Sequence, residues 1–288
     1  MKLVSYRESQ DGAAQARYGA VANGDSIHDL TTAQAPTLRM ALSSEGIEGI
    51  AARADAMAKQ ARGIPLGSVV LLPPIPDPDK ILCVGLNYFL HAKEAGMDVP
   101  ARPSIFVRFG SSVVGHDNPV QHPGISEQFD FEAELAVVIG RRAYRVSEAD
   151  ALDYVAGYSC LAENSVRDWQ RHSNQATPGK NFVGSGAFGP WLVTPDEAGP
   201  VESMMVTGRL NGEQVQGDSA ANMIFSVAQT ISYLSTFTEL LPGDVISTGT
   251  PSGVGFSRKP PLYLRPGDVF EVDISGVGLL RNPVAQAN

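Results

Sequence analysis

The segment FDFEAELAVVIG, from Phe129 to Gly140, constrains the fold more than any other. Residues two apart on a strand share a face, so Asp130, Glu132 and Glu134 fall on one side and Phe131, Ala133, Leu135 and Val137 on the other. Carboxylates held that closely repel one another and must be solvated, protonated or neutralised by a cation. Two readings follow: an edge strand with a wet acidic face, or an interior strand whose acids hold a hard divalent ion. The continuation AVVIG lacks the polar alternation of an edge strand, which favours the second reading.

A chain of 288 residues can bury a large core, as one domain with an appendage or as two. Its formal charge of -9 repels phosphate backbones and anionic membranes, so neither nucleic acid nor membrane is an expected partner. An anionic substrate would then need local cations or a metal. Cys83 and Cys160 lie in apolar segments, as reduced buried thiols do, and the first residues lack a signal-type apolar run. A cytoplasmic location is therefore expected, with no membrane-spanning segment.

Residues 2–30 alternate apolar and polar positions around Asn23-Gly24, a hairpin turn pair, which predicts a small sheet. Thr37 to Arg62 is Ala-rich and helical in pattern. LPPIPDPDK then places four prolines in nine residues, and a domain boundary is set there, between Pro73 and Lys80. The expected organisation is a small α+β domain over 1–75 and a catalytic domain over 76–288. Strands are read at ILCVGLNY, SIFVRF, FDFEAELAVVIG, YVAGYSCLAEN, DVISTGTP and DVFEVDIS, and helices at HAKEAG, SEADAL, SVRDWQRHS and IFSVAQTISYLSTF. The class is α+β.

Four further constellations can carry chemistry. His91 and Glu94, three apart, lie side by side on one helical turn, where a carboxylate can orient an imidazole as a general base; a chance surface pair is the bland alternative. Glu163 ends a strand and is free to face a site, whereas Ser165 and Asp168 have capping-box spacing. Lys180 stands in TPGKNF, which is either a simple tight turn or one whose single cation holds an anionic substrate group. The loop STGTPSGVG, with Thr250 at its centre, is either a tight turn or an anion nest of backbone amides. Gly184 to Gly189 fits G-x-G-x-x-G, but Pro190 and Trp191 exclude the required helix, so it is read as a turn. His116 and His122 are read as ordinary loop histidines.

In this order, GLNYFLHAKE, FDFEAELAVVIG, VAGYSCLAENSVRDWQ, TPGKNF, GAFGPW, the NGE of Asn211 to Glu213, STGTPSGVG and LRPGDVFEVDI resemble the fumarylacetoacetate hydrolase family from about Lys80 to Pro283. The resemblance implies a mixed β-roll that dimerises and binds Mg2+ or Mn2+ through Glu132, Glu134 and Glu163. It also implies a catalytic His91 and Glu94 on a lid, and a substrate-binding Lys180. The sequence departs in having Glu163 where relatives have Asp, Leu86 where many have Arg, and Arg108 where many have Lys.

The implied reaction is hydrolysis of a carbon–carbon bond in an acylpyruvate such as fumarylpyruvate or maleylpyruvate, giving pyruvate and a carboxylic acid. Thr250 would hydrogen-bond the substrate carboxylate, and Arg108 and Gln170 would hold its distal group. Decarboxylation of oxaloacetate, isomerisation of a hydroxymuconate, and metal binding without catalysis are the alternatives.

Overall fold

The computed structural model describes residues 1–8, 15–59 and 63–287. The fold is α+β, dominated by sheet. Its main sheet has 12 strands, and the acidic strand Ala133–Ile139 lies deep inside it. That strand runs antiparallel to Val155–Ala162 on one side and to Val245–Ser247 on the other, and all seven of its residues are buried. Two paired neighbours leave no wet edge, so the edge-strand reading fails. Beyond Val245–Ser247 come Ile81–Gly85, parallel to it, and the antiparallel edge strand Ser104–Arg108.

The acidic run is not one strand. Pairing breaks at Phe131 and Glu132, because Phe129–Asp130 turns aside to pair with Ser165–Val166. Asp130 therefore leaves the face on which the sequence places it with Glu132 and Glu134. The opposite face behaves as expected: Phe131, Ala133, Leu135 and Val137 enter the larger core cluster. They pack there with a five-stranded sheet built from Met205–Leu210, Glu213–Ser219, Val269–Ile274, Gly278–Gln286 and Val120–His122.

The amino-terminal hairpin forms between Arg17–Ala22 and Ser26–Asp29, with Asn23 and Gly24 at positive φ. It does not make a sheet of its own. Lys2–Arg7 pairs with Gly186–Val193, and so continues the main sheet; unsatisfied edge amides drive such joining. A second core cluster likewise joins Leu3, Leu38 and Leu42 to Ile81, Ala136 and Val138.

The first helix spans Leu38–Ala58, capped by the Thr37 side chain and interrupted at Gly46, whose φ is 66°. Residues 60–62 of the expected helix and 9–14 of the expected sheet lie outside the described residues. SEADAL makes only a single 3-10 turn, Ala151–Tyr154, and the G-x-G-x-x-G segment is largely strand. Pro190 is accommodated in that strand where its pairing register slips opposite Tyr158 and Cys160. His122 closes the strand Val120–His122, and His116 accepts the Arg281 N–H on Nδ1. Among the described residues no helix is long and apolar enough to cross a membrane.

Leu135 is fully buried on the core face, next in sequence to Glu134. Leu135→Ala should lower unfolding free energy by about 2–5 kcal/mol with little change in the denaturant slope. A loss below about 1 kcal/mol in urea titration would show that this face is not packed as described.

Candidate active site and metal centre

Two strand ends bring together the acids that the sequence singles out. Glu132 precedes Ala133–Ile139, Glu134 stands second in it, and Glu163 follows Val155–Ala162, donating its backbone N–H to the Glu132 carbonyl at 2.9 Å. One oxygen from each carboxylate lies within 4.8 Å of the others, and all three residues are buried.

Their surroundings differ. Glu132 Oε1 accepts from Ser165 Oγ at 2.5 Å and lies 2.7 Å from Arg167 Nη1 and 3.0 Å from Lys180 Nζ. Burial alone would raise its pKa, but Lys180 and Arg167 outweigh it and hold the carboxyl at about 2. Glu163 binds Arg108 Nη1 at 2.6 Å through Oε1 and Lys180 through Oε2. Glu134 has only neutral donors, Ser247 Oγ at 2.5 Å and the Gly249 N–H at 2.8 Å. Burial, with Glu163 and Glu132 beside it, pushes its pKa up to about 8.

This donor set fits a divalent cation. It offers hard oxygen ligands only, in a buried group where one acid has no cation of its own. Glu132, Glu134 and Glu163 would hold the ion. Lys180 remains an ammonium: burial opposes its charge, but Glu132 and Glu163 more than restore it, so it supplies positive potential and not a base.

His91 and Glu94 lie on the helix Phe89–Glu94, with Nδ1 at 2.7 Å from Oε1. The carboxylate faces Nδ1, which directs the proton there and leaves Nε2 free to accept one. Glu94 is itself held by the Gly253 N–H at 2.9 Å and Ser257 Oγ at 2.9 Å. Burial would raise its pKa, but the hydrogen bonds from His91, Gly253 and Ser257 outweigh that, so it stays below the usual glutamate value.

The glycine-rich loop is an anion nest, but the anions are the protein's own. Gly249 donates to Glu134, Gly253 to Glu94, and Gly255 and Phe256 to Asp130 at 2.7 and 3.0 Å. Gly253 has φ of 105°, and a Cβ there would meet the Val215 carbonyl at 2.2 Å. A side chain is thus excluded by both strain and space. Thr250 lines the cavity, yet its hydroxyl donates to the Ala133 carbonyl at 3.0 Å and accepts from Gln216 Nε2 at 2.8 Å.

His91, Glu132, Glu134, Gln170, Lys180 and Thr250 are among the residues that line one cavity of about 540 Å3. Arg108 is not among them. Its guanidinium is wholly buried, bonded to Glu163, Ser112, Ser185 and the Asn164 carbonyl, so it positions Glu163 and holds no distal group. The expected capping box is also absent: Ser165 is in a strand and serves Glu132, while Asp168 accepts from Ser126 Oγ at 2.6 Å.

Arg167 was not singled out by sequence. It bridges Asp130 Oδ2 at 2.8 Å and Glu132, bonds Gln170 Oε1 at 3.1 Å, and lines the cavity with Nη2 unpartnered. Its signal was present in S-V-R-D, four positions after Glu163, but only the folded pairing with Asp130 gives it a role.

The raised pKa of Glu134 makes metal-free stability pH-dependent. An acid whose folded pKa is about 8 and unfolded value 4.5 contributes stability that is complete below the lower figure and is lost as pH rises through the higher. In chelator, Tm should fall over that window, and Glu134→Gln should flatten the slope. Mg2+ or Mn2+ should raise Tm most at the alkaline end, because ions bind the ionised acids. A metal-free Tm that rises between pH 5 and 8, measured by calorimetry, contradicts this assignment.

The fumarylacetoacetate (FAA) hydrolase C-terminal model matches residues 80–285. A human mitochondrial oxaloacetate tautomerase is 39% identical over 267 residues, covering 91% of this chain and 85% of its own length. A fumarylacetoacetate hydrolase from Exiguobacterium antarcticum superposes with a TM-score of 0.83 at 34% identity, over 99% of this chain and 100% of that one. A maleylpyruvate hydrolase from Sphingobium, solved with manganese(II) and pyruvate, gives 0.82 at 26% identity, over 100% of both chains. Curated relatives labelled mitochondrial overturn the expectation of a cytoplasmic location. Cys83 and Cys160 are free and buried, and buried thiols carry no cellular address. With the family match, the strand-end carboxylates and the His91–Glu94 pair in agreement, the chain belongs to the fumarylacetoacetate hydrolase family.

Proposed function

We propose that the chain interconverts the keto and enol forms of a 2-oxo acid of the oxaloacetate type. The observation that carries this reading is that His91, oriented by Glu94, opens on the same cavity as Glu132 and Glu134 of the three-carboxylate cluster. Enolisation needs one group that moves a proton and one that steadies charge on the 2-oxo oxygen. A divalent ion on Glu132, Glu134 and Glu163 would supply the Lewis acidity for the second task. His91 Nε2 takes the proton from carbon 3 and hands it, directly or by way of water, to the 2-oxo oxygen to complete the enol; the reverse reaction retraces both transfers, and Glu94 steadies the imidazolium between them. Lys180 and Arg167 bring positive potential to the cavity, where negative charge develops.

The resemblance to an oxaloacetate tautomerase over nine-tenths of the chain supports this reading above carbon–carbon hydrolysis. Hydrolysis of an acylpyruvate is the second reading, favoured by the maleylpyruvate hydrolase whose structure holds manganese and pyruvate. It requires a water positioned for attack as well as the same proton carrier.

The test is to follow the approach of enol oxaloacetate to equilibrium, and cleavage of maleylpyruvate, each with Mg2+ or Mn2+ and again with chelator. Tautomerisation should be accelerated only with metal. His91→Ala should lower kcat about 10²–10⁴-fold while the metal-induced Tm rise persists. Cleavage of maleylpyruvate without any effect on oxaloacetate would replace the first reading by the second.

A further inference from the structure

Charge is unevenly satisfied around the cavity. Among the described residues three cations line it: Arg167, Arg171 and Lys180. Arg167 is answered by Asp130 and Glu132, and Lys180 by Glu132 and Glu163. Arg171 has no ion pair or side-chain hydrogen bond with any described residue; its guanidinium instead lies 5.6 Å from the ring centroid of Phe256. Arg167 lies 4.6 Å from the same centroid. From Glu132 outward the sequence of contacts is thus Glu132, Arg167, Phe256, Arg171.

The backbone of Arg171 is placed by the structure, while its side chain is exposed at the rim of the cavity. It follows the short helix Arg167–Gln170, its N–H donates to the Asp168 carbonyl at 3.2 Å, and Asp168 is tied to Ser126. Phe256 is fixed in turn by the bond from its N–H to Asp130. A guanidinium beside an aromatic ring retains a planar fork of donors, which matches a carboxylate in two-point contact.

We propose that Arg171 is a specificity-determining residue that binds a second carboxylate of the substrate and so selects 2-oxo dicarboxylates. This deepens the reading above and rests on it for the 2-oxo acid group held near the cluster. Arg171 takes no part in proton transfer. It contributes to binding, so its loss raises KM and leaves kcat nearly unchanged.

The discriminating pair is oxaloacetate and 2-oxobutyrate, which have the same carbon chain but differ in the second carboxylate. Equilibrium binding to the Mg2+-loaded protein is measured by calorimetry, alongside turnover of oxaloacetate and exchange of the carbon 3 protons of 2-oxobutyrate. Arg171→Gln should weaken oxaloacetate binding about 10- to 100-fold, the range expected for a charge-assisted hydrogen bond, and leave 2-oxobutyrate within about twofold. Arg171→Lys should recover part of the loss, and Tm should not move. Equal effects on both ligands, no effect on either, or a wild-type protein with no preference for oxaloacetate overturns the role of Arg171. Selective binding of oxaloacetate without tautomerisation leaves that role standing and removes the tautomerase reading instead.

Discussion

Three carboxylates buried within 4.8 Å of one another are the condition that the surrounding structure has to meet. Charges in such a place are destabilising unless answered, and a buried carboxylate left without a partner is worse than an apolar replacement. Arg108, Arg167 and Lys180 answer Glu132 and Glu163; Ser165, Ser247 and the Gly249 amide supply the remaining donors. Glu134 alone keeps neutral partners. The protein therefore gathers its cations to one side of the cluster and leaves the other side electrically open, which is the asymmetry a metal-ion site needs.

The parts of the site that were legible in the sequence are those whose contacts are local. His91 and Glu94 meet because they are three apart on a helix, and Glu132 and Glu134 share a side because the apolar run after them enforces a strand. Reading failed where partners are distant in the chain. Arg108 looked available for substrate, but Glu163, 55 residues away, claims it. Asp130 obeys the two-residue period on paper and breaks it in space, because Phe129–Asp130 finds its partner in Ser165–Val166. Lys180 was legible as the one cation of a turn suited to an anionic group, but its partners Glu132 and Glu163, 48 and 17 residues away, were not.

The two arginines near Glu163 show why residue type alone does not give function. Arg108 has its guanidinium nitrogens bonded to protein atoms and acts as scaffold. Arg167 keeps one nitrogen unpartnered and lines the cavity. Both are buried cations beside glutamates, and it is the border with the cavity, not residue type, that separates Arg167 from a pure support.

The turn from Gly249 to Phe256 has a consequence beyond holding acids in place. It fastens the proton carrier's partner Glu94, the electrically open Glu134, and, through Asp130, the guanidinium of Arg167 to a single short stretch of backbone. Errors in their relative placement are therefore correlated: a small displacement of that turn moves all three together and preserves their spacing better than three separate loops could. The site tolerates breathing of the whole more readily than distortion within it, as positioned groups in catalysis require.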